Sequence, residues 1–222
     1  MAFPLRWRIA QFFEIRWWQR YLRSQDKWTY INWKLAYWRE FLTKSGILIS
    51  PEFSILDAGC GPSGIFMLPI GHSTDAFDPL LGEYERLLPH FQRSDYPHVR
   101  FFGSTLEHFL PEKQYDIVFC LNAINHVANI EQGFDQLVRF ARPEGTLAVS
   151  IDAHNYTWLK RIFKAFPGDI LHPHQYDLEE YKSMLTQRGC RIERTVLIKK
   201  EGIFDYYLIV ATIDQKGLTL HS

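Results

Sequence analysis

The sequence predicts an α/β fold: a mostly parallel sheet flanked by helices and closed by an antiparallel hairpin. Three observations carry this. Residues 53–64, FSILDAGCGPSG, run from an uncharged apolar stretch through Asp57 into glycines at 59, 61 and 64. A buried strand that ends in an acid and breaks into glycines reads as a parallel strand feeding a helix. Glycine there permits positive φ angles and lets a ligand approach bare backbone. Downstream, short apolar strand-like runs alternate with helix-like segments up to residue 151. Finally, residues 191–199 and 203–213 are strand runs joined at Lys200, Glu201 and Gly202, which makes a closing hairpin.

The chain has 222 residues, enough for one sizeable core with decoration and short for two full domains. Hydrophobic residues are 46% and charged residues 23%, the composition of an ordinary globular protein. A formal net charge of +0 gives no electrostatic case for nucleic acid. Charge is unevenly placed, however, with nine Lys/Arg against three Asp/Glu in residues 1–45. Cys60, Cys120 and Cys190 are scattered and odd in number, which argues for reduced thiols in a cytoplasm and against a disulfide frame or zinc site. No uncharged apolar run approaches the ~20 residues of a membrane span. The N-terminus lacks the apolar core and cleavage site of a signal peptide.

In chain order, residues 5–23 and 27–44 read as two helices, with Ile31, Leu35, Trp38 and Leu42 marking one apolar stripe on the second. Asp26 is the expected N-cap, and Ser45-Gly46 the stop. Six of the seven tryptophans fall in residues 7–38. Three readings fit this segment: a helical cap packed on the core, a cap that also walls a substrate pocket, or a surface for a membrane or second copy through residues 1–45. The expected division is an aromatic-rich helical cap over 1–49 and the main domain over 50–222. Beyond the glycine turn, residues 65–70 read as a short apolar helix and 73–78 as a strand ending at Asp78-Pro79. Residues 80–88 follow as a helix, 98–102 as a strand, and 115–121 as the clearest strand of all. Residues 130–141 form an amphipathic helix and 146–151 a strand. Residues 177–188 are a helix with Asp177 and Glu180 spaced as a capping box.

The spacing Gly59-x-Gly61-x-x-Gly64 matches a dinucleotide fingerprint, but Asp57 would repel a pyrophosphate and attract a ligand bearing ammonium and sulfonium groups. Residues 56–61, LDAGCG, resemble motif I of the class I S-adenosylmethionine (SAM)-dependent methyltransferases, in the branch called methyltransferase type 11. Residues 115–127 and 142–151 resemble that family's fourth-strand and fifth-strand regions, and the likeness extends over about 50–213. The resemblance implies a Rossmann-like seven-stranded sheet, mostly parallel, with the C-terminal antiparallel hairpin, here preceded by two cap helices.

It further implies SAM as cofactor. Asp57, Gly59 and Gly61 would hold its amino-acid end, Asp78 its ribose, and Asn122 its methionine region. Asp78 is preferred to Asp75 because it ends its strand. Family members often carry an Asp near the adenine where this chain has Ser104 followed by Thr105. Asp57 has a second reading, as an acid that only shapes the loop. The reaction is displacement at an activated methyl group, so the protein supplies mainly positioning and desolvation. His126 is a candidate base facing the methyl group, or a histidine packed at a helix start. His154, Tyr156, His172, His174 and Tyr176 are candidates for lining the acceptor side. Two histidines without a third ligand do not make a metal site. The acceptor expected is a small molecule, aromatic or lipid-like, methylated on O or N. The alternatives are an NAD(P)-dependent oxidoreductase and a non-catalytic SAM-fold protein docking through its N-terminal helices.

Overall fold

A computed structural model describes residues 5–154, 176–200 and 204–214. Two helices open the chain, α1 (Leu5–Leu22) and α2 (Lys27–Ser45). The Asp26 carboxylate accepts from the Thr29 amide at 2.9 Å, and Gly46, at φ 64°, turns out of α2 with its N–H bonded to the Leu42 carbonyl. These are the start and stop that the sequence signals. Burial on α2 takes in Ile31 and Trp38 of the expected stripe, plus Tyr30 and Phe41 beside it.

Seven strands follow: β1 (Ser54–Ala58), β2 (Ser73–Phe77), β3 (Val99–Phe102), β4 (Tyr115–Leu121), β5 (Ala141–His154), β6 (Cys190–Lys200) and β7 (Phe204–Ile213). Helices α3 (Leu81–Leu87), α4 (Ile130–Phe140) and α5 (Leu178–Thr186) connect them. The sheet order is β3-β2-β1-β4-β5-β7-β6. The five strands from β3 to β5 are parallel, and β7 inserts antiparallel between β5 and β6. This is the seven-stranded Rossmann-like sheet with a closing hairpin that the sequence predicts. The capping box of α5 is formed, with Asp177 accepting from the Glu180 amide at 2.9 Å.

Central strands are buried on both faces, which explains why they read as continuous apolar runs. On one face Leu56, Val118, Leu147 and Ile209 pack with Phe134 and Leu137 of α4 and Tyr181 and Leu185 of α5. On the other, Ile55, Ile117, Phe119 and Leu208 pack with Trp38 and Phe41 of α2. A third cluster joins Ile15 and Leu22 of α1 and Tyr30 and Ile31 of α2 to Cys60, Phe66, Leu81 and Tyr84. The N-terminal helices therefore share core with the glycine turn and α3.

Two elements depart from the sequence reading. The helix expected over 65–70 is a single 3-10 turn, Ile65–Met67. All three of its side chains are buried, and Pro69 prevents continuation. β5 is also longer than expected, because its first residue already pairs with Tyr115 before a register shift.

Candidate active site

All ligand-facing strand ends lie at one edge of the sheet. The carboxyl ends of β1, β2, β4 and β5 point the same way, and the register Asp152↔Tyr206 and Tyr206↔Lys199 brings β6 and β7 to that edge too. Ligands of open α/β sheets bind there. A cavity of about 890 Å³ occupies it, roofed by Glu14, Trp17 and Trp18 of α1 and Lys34, Tyr37 and Trp38 of α2.

The floor is the glycine turn. Gly59 and Gly61 have φ of 70° and 56°, as the motif requires. The Gly59 and Cys60 amides bond the Phe77 carbonyl at 2.9 and 3.0 Å, tying β1 to β2. Asp78 Oδ2 accepts from the Gly61 amide at 3.1 Å, and its Oδ1 from the Leu80 amide at 2.8 Å. Asp57 Oδ2 accepts from the Phe66 amide at 3.0 Å. The Phe66 amide, in the 3-10 turn beyond the glycines, is thus committed to Asp57. Asp57 does shape the loop, while also lining the cavity.

Both carboxylates are buried, and among the described residues neither has a cationic partner. Burial pushes each up to about 7, with the nearby Glu14 adding to the effect on Asp78. Glu14, itself raised by burial, accepts from Tyr84 Oη at 2.5 Å. A carboxylate oxygen accepts more than one hydrogen bond, so Asp78 keeps capacity for ligand hydroxyls. Acids held at a glycine turn without cations suit a ligand that brings positive charge and hydroxyl groups, as SAM does. The residues present fit that group.

Of the expected cofactor residues, Asp57, Gly59, Gly61, Asp78, Thr105 and Asn122 all line this one cavity. Ser104 does not; its hydroxyl donates to the Thr105 carbonyl at 3.2 Å. Asp75, the rejected competitor of Asp78, is paired with Arg100 at 2.7 Å and with Tyr115 Oη at 2.7 Å. Among the acceptor-side candidates, His126 ends a 3-10 turn after β4 and lines the cavity. His154 is the last residue of β5. Tyr156, His172 and His174 lie outside the described residues, whereas Tyr176 packs edge-on against Tyr181, 5.7 Å between ring centres. The sequence reading missed Glu14, Lys34 and Glu107. Glu107 is buried at the cavity and accepts from the Ala128 amide at 2.7 Å. Its position after β3, three residues beyond Ser104, is the available signal.

Residues 56–149 match the family described as "Methyltransferase domain". That match takes in the glycine turn, Asp78 and the strands β1 to β4. The ubiquinone biosynthesis O-methyltransferases of Rickettsia typhi and Rickettsia prowazekii are 32% and 33% identical to this chain over 102 residues, 45% of its length. It spans about two fifths of those relatives, 41% and 40%. Among solved structures, the 1,6-didemethyltoxoflavin-N1-methyltransferase of Burkholderia thailandensis, with S-adenosylhomocysteine bound, superposes with a TM-score of 0.61 at 14% identity. That match covers 97% of this chain and 92% of the other. The N-methyltransferase NodS of Bradyrhizobium japonicum gives 0.60 at 12% identity over 81% and 96%. At such identities the likeness is one of fold.

Proposed function

We propose that this chain is a SAM-dependent methyltransferase that methylates an O or N atom of a small-molecule acceptor, aromatic or lipid-like. One observation carries the reading: the glycine turn and the buried acids Asp57 and Asp78, which have no cationic partner among the described residues, line the same cavity as the aromatic wall of α1 and α2. The matched domain and the ubiquinone O-methyltransferase relatives support it from outside.

When bound, SAM supplies a methyl group already activated on a sulfonium. Everything else falls to this chain. Asp78 has acceptor capacity for ribose hydroxyls, and Gly61, with open space where a side chain would stand, leaves backbone exposed to the ligand. Asp57 holds the turn and contributes negative charge toward the amino-acid end. Thr105 and Asn122 complete the cofactor side, with Glu107 replacing Ser104 in the set proposed. Trp18, Tyr37 and Trp38 offer flat apolar faces to an acceptor. His126, which lines the cavity, would take the acceptor's proton.

Residues 1–49 form the cap in this reading. The exposed rings of Phe12, Phe13, Trp17, Trp28 and Trp33, set among arginines, supply a face for a membrane surface or a second copy. Among the described residues no helix is long and apolar enough to cross a membrane. The buried, unpaired cysteines fit a cytoplasmic setting. Calorimetry with SAM and S-adenosylhomocysteine tests the core of the proposal. Binding in the micromolar range is expected, and no binding at about 1 mM of either ligand removes it.

A further inference from the structure

The first helix is apolar on two sides, although a surface helix needs only one apolar side to pack. Its inner side supplies Ile15 and Leu22 to the core. On another side Phe13, Trp17 and Tyr21 recur every fourth residue, with Phe13 51% and Trp17 56% exposed. Trp17 stacks on Tyr21, 5.0 Å between ring centres, and Tyr21 meets Tyr30 of α2 edge-on at 6.2 Å. Tyr30 in turn meets Trp33 at 5.9 Å, and Trp33 stacks on Tyr37 at 6.1 Å. These contacts join the exposed rings of both helices into one patch, with Tyr30 as its buried link. A contiguous apolar patch marks an interaction site, as singly scattered exposed rings do not.

Charge says what covers it. Arg16 and Arg20 of α1, and Arg23 just past its end, are all exposed. Among the described residues no carboxylate pairs with any of the three. Glu14, the one acid of α1, is turned inward onto Tyr84. A second copy meeting this face by two-fold symmetry would bring the same arginines to both sides, with no acid of α1 to answer them. An anionic surface is the complement. Position adds to this. Phe13 and Trp17 line the cavity while half in solvent, so they stand at its mouth. Tryptophan and tyrosine, apolar rings with a polar edge, settle at the headgroup level of a bilayer, where arginines meet lipid phosphates.

We infer that the outer face of α1, continued by Trp33 of α2, docks the protein on an anionic lipid bilayer with the cavity mouth turned to the lipid. An acceptor dissolved in the bilayer then enters past Phe13 and Trp17 without crossing water. What the cavity does with that acceptor rests on the methyltransferase reading, and the test separates the two.

The experiment sediments the full chain with vesicles of phosphatidylcholine alone, or of phosphatidylcholine with phosphatidylglycerol at about 30%. Binding about ten-fold or more tighter to the anionic vesicles is expected, weakening as salt shortens the Debye length. Each arginine near an anionic surface contributes about five-fold, so the double variant Arg16→Gln, Arg20→Gln should bind ~25-fold more weakly. Neither arginine lines the cavity, so that variant should keep its affinity for S-adenosylhomocysteine. Brominated phosphatidylcholine in the vesicles should quench tryptophan emission. Trp17→Phe and Trp33→Phe should each reduce the quenching. Trp28→Phe should not, because Trp28 is equally exposed but sits against Lys27, outside the chain of ring contacts. No vesicle binding overturns the inference, and a concentration-dependent dimer in its place would give the face to a second copy. Equal binding to both vesicles, unchanged binding of the arginine variant, or quenching that follows Trp28 overturns it too. Failure of the wild-type protein to bind S-adenosylhomocysteine sinks the methyltransferase reading and leaves the docking result standing.

Discussion

Gly59 and Gly61 share a backbone conformation but not a neighbourhood. A Cβ added at Gly59 would meet the Ala123 Cβ at 2.5 Å, whereas one at Gly61 would meet nothing within 4 Å. Left-handed backbone costs an alanine about 1–2 kcal/mol at either site. At Gly59, overlap adds roughly 1–3 kcal/mol more. Gly59→Ala should therefore lower stability in urea unfolding by about 2–5 kcal/mol, and Gly61→Ala by about 1. The open space at Gly61 is ligand space, so Gly61→Ala should reduce SAM affinity at least as severely as Gly59→Ala despite the smaller stability loss. Asp78→Asn removes the charge and one acceptor oxygen; a hydrogen bond to a charged group contributes about 1.5–3 kcal/mol, so SAM affinity should fall ~10- to 100-fold by calorimetry. That Asp57, Gly59 and Gly61 line the cavity was legible from one local pattern, and Asp78 from its place at the end of β2. Glu14 and Lys34 were not, since each is a single charged residue on a helix whose meaning depends on what the fold folds it over.

At the scale of elements, the caps and strands that the sequence signals are the ones with local causes. Asp26, Gly46 and the Asp177–Glu180 box all act within a few residues, and all are formed. The segment after the glycine turn was misread because a fully buried apolar run has no period to distinguish one turn from a helix. Placement of α1 and α2 was equally beyond local reasoning, although their aromatic content marked them as packed. Trp38 joins element to site, with its ring buried against β1 and β4 residues and its indole N–H on the Ser63 carbonyl of the glycine turn. Trp38→Phe keeps most of the ring and loses the bond. The expected result is a stability loss of about 1 kcal/mol, with SAM affinity reduced several-fold because the turn is no longer tethered to the roof. Unchanged SAM affinity in that variant would show that α2 packs on the turn without positioning it.

For the whole molecule, the charges confined in one cavity make stability a function of pH and ligand. Asp57 and Asp78 rise from 3.8 to about 7 on folding. Between those values the folded chain holds protons that the unfolded chain releases, so stability declines as pH climbs toward 7. Lys34 moves the other way, from 10.5 to about 8. Above 8 the unfolded chain holds the proton that the folded chain has lost, so stability recovers with rising pH. Asp26, held below its usual range by the Thr29 amide and hydroxyl, acts only at lower pH. The ligand-free protein should therefore show a minimum in Tm between pH 7 and 8, where all three burial penalties act together. Each kcal/mol of penalty corresponds to about 2–4 °C in a chain of this size. Asp78→Asn should flatten the acidic limb, and Lys34→Met the basic one. Opposite charge brought by SAM relieves the acids, so SAM affinity should rise between pH 6 and 8. Saturation at about 100 times Kd adds ~2.7 kcal/mol, filling much of the minimum. A Tm profile flat from pH 5 to 9 without ligand would mean that water reaches these groups in solution and that the cavity is open where the structure shows it roofed.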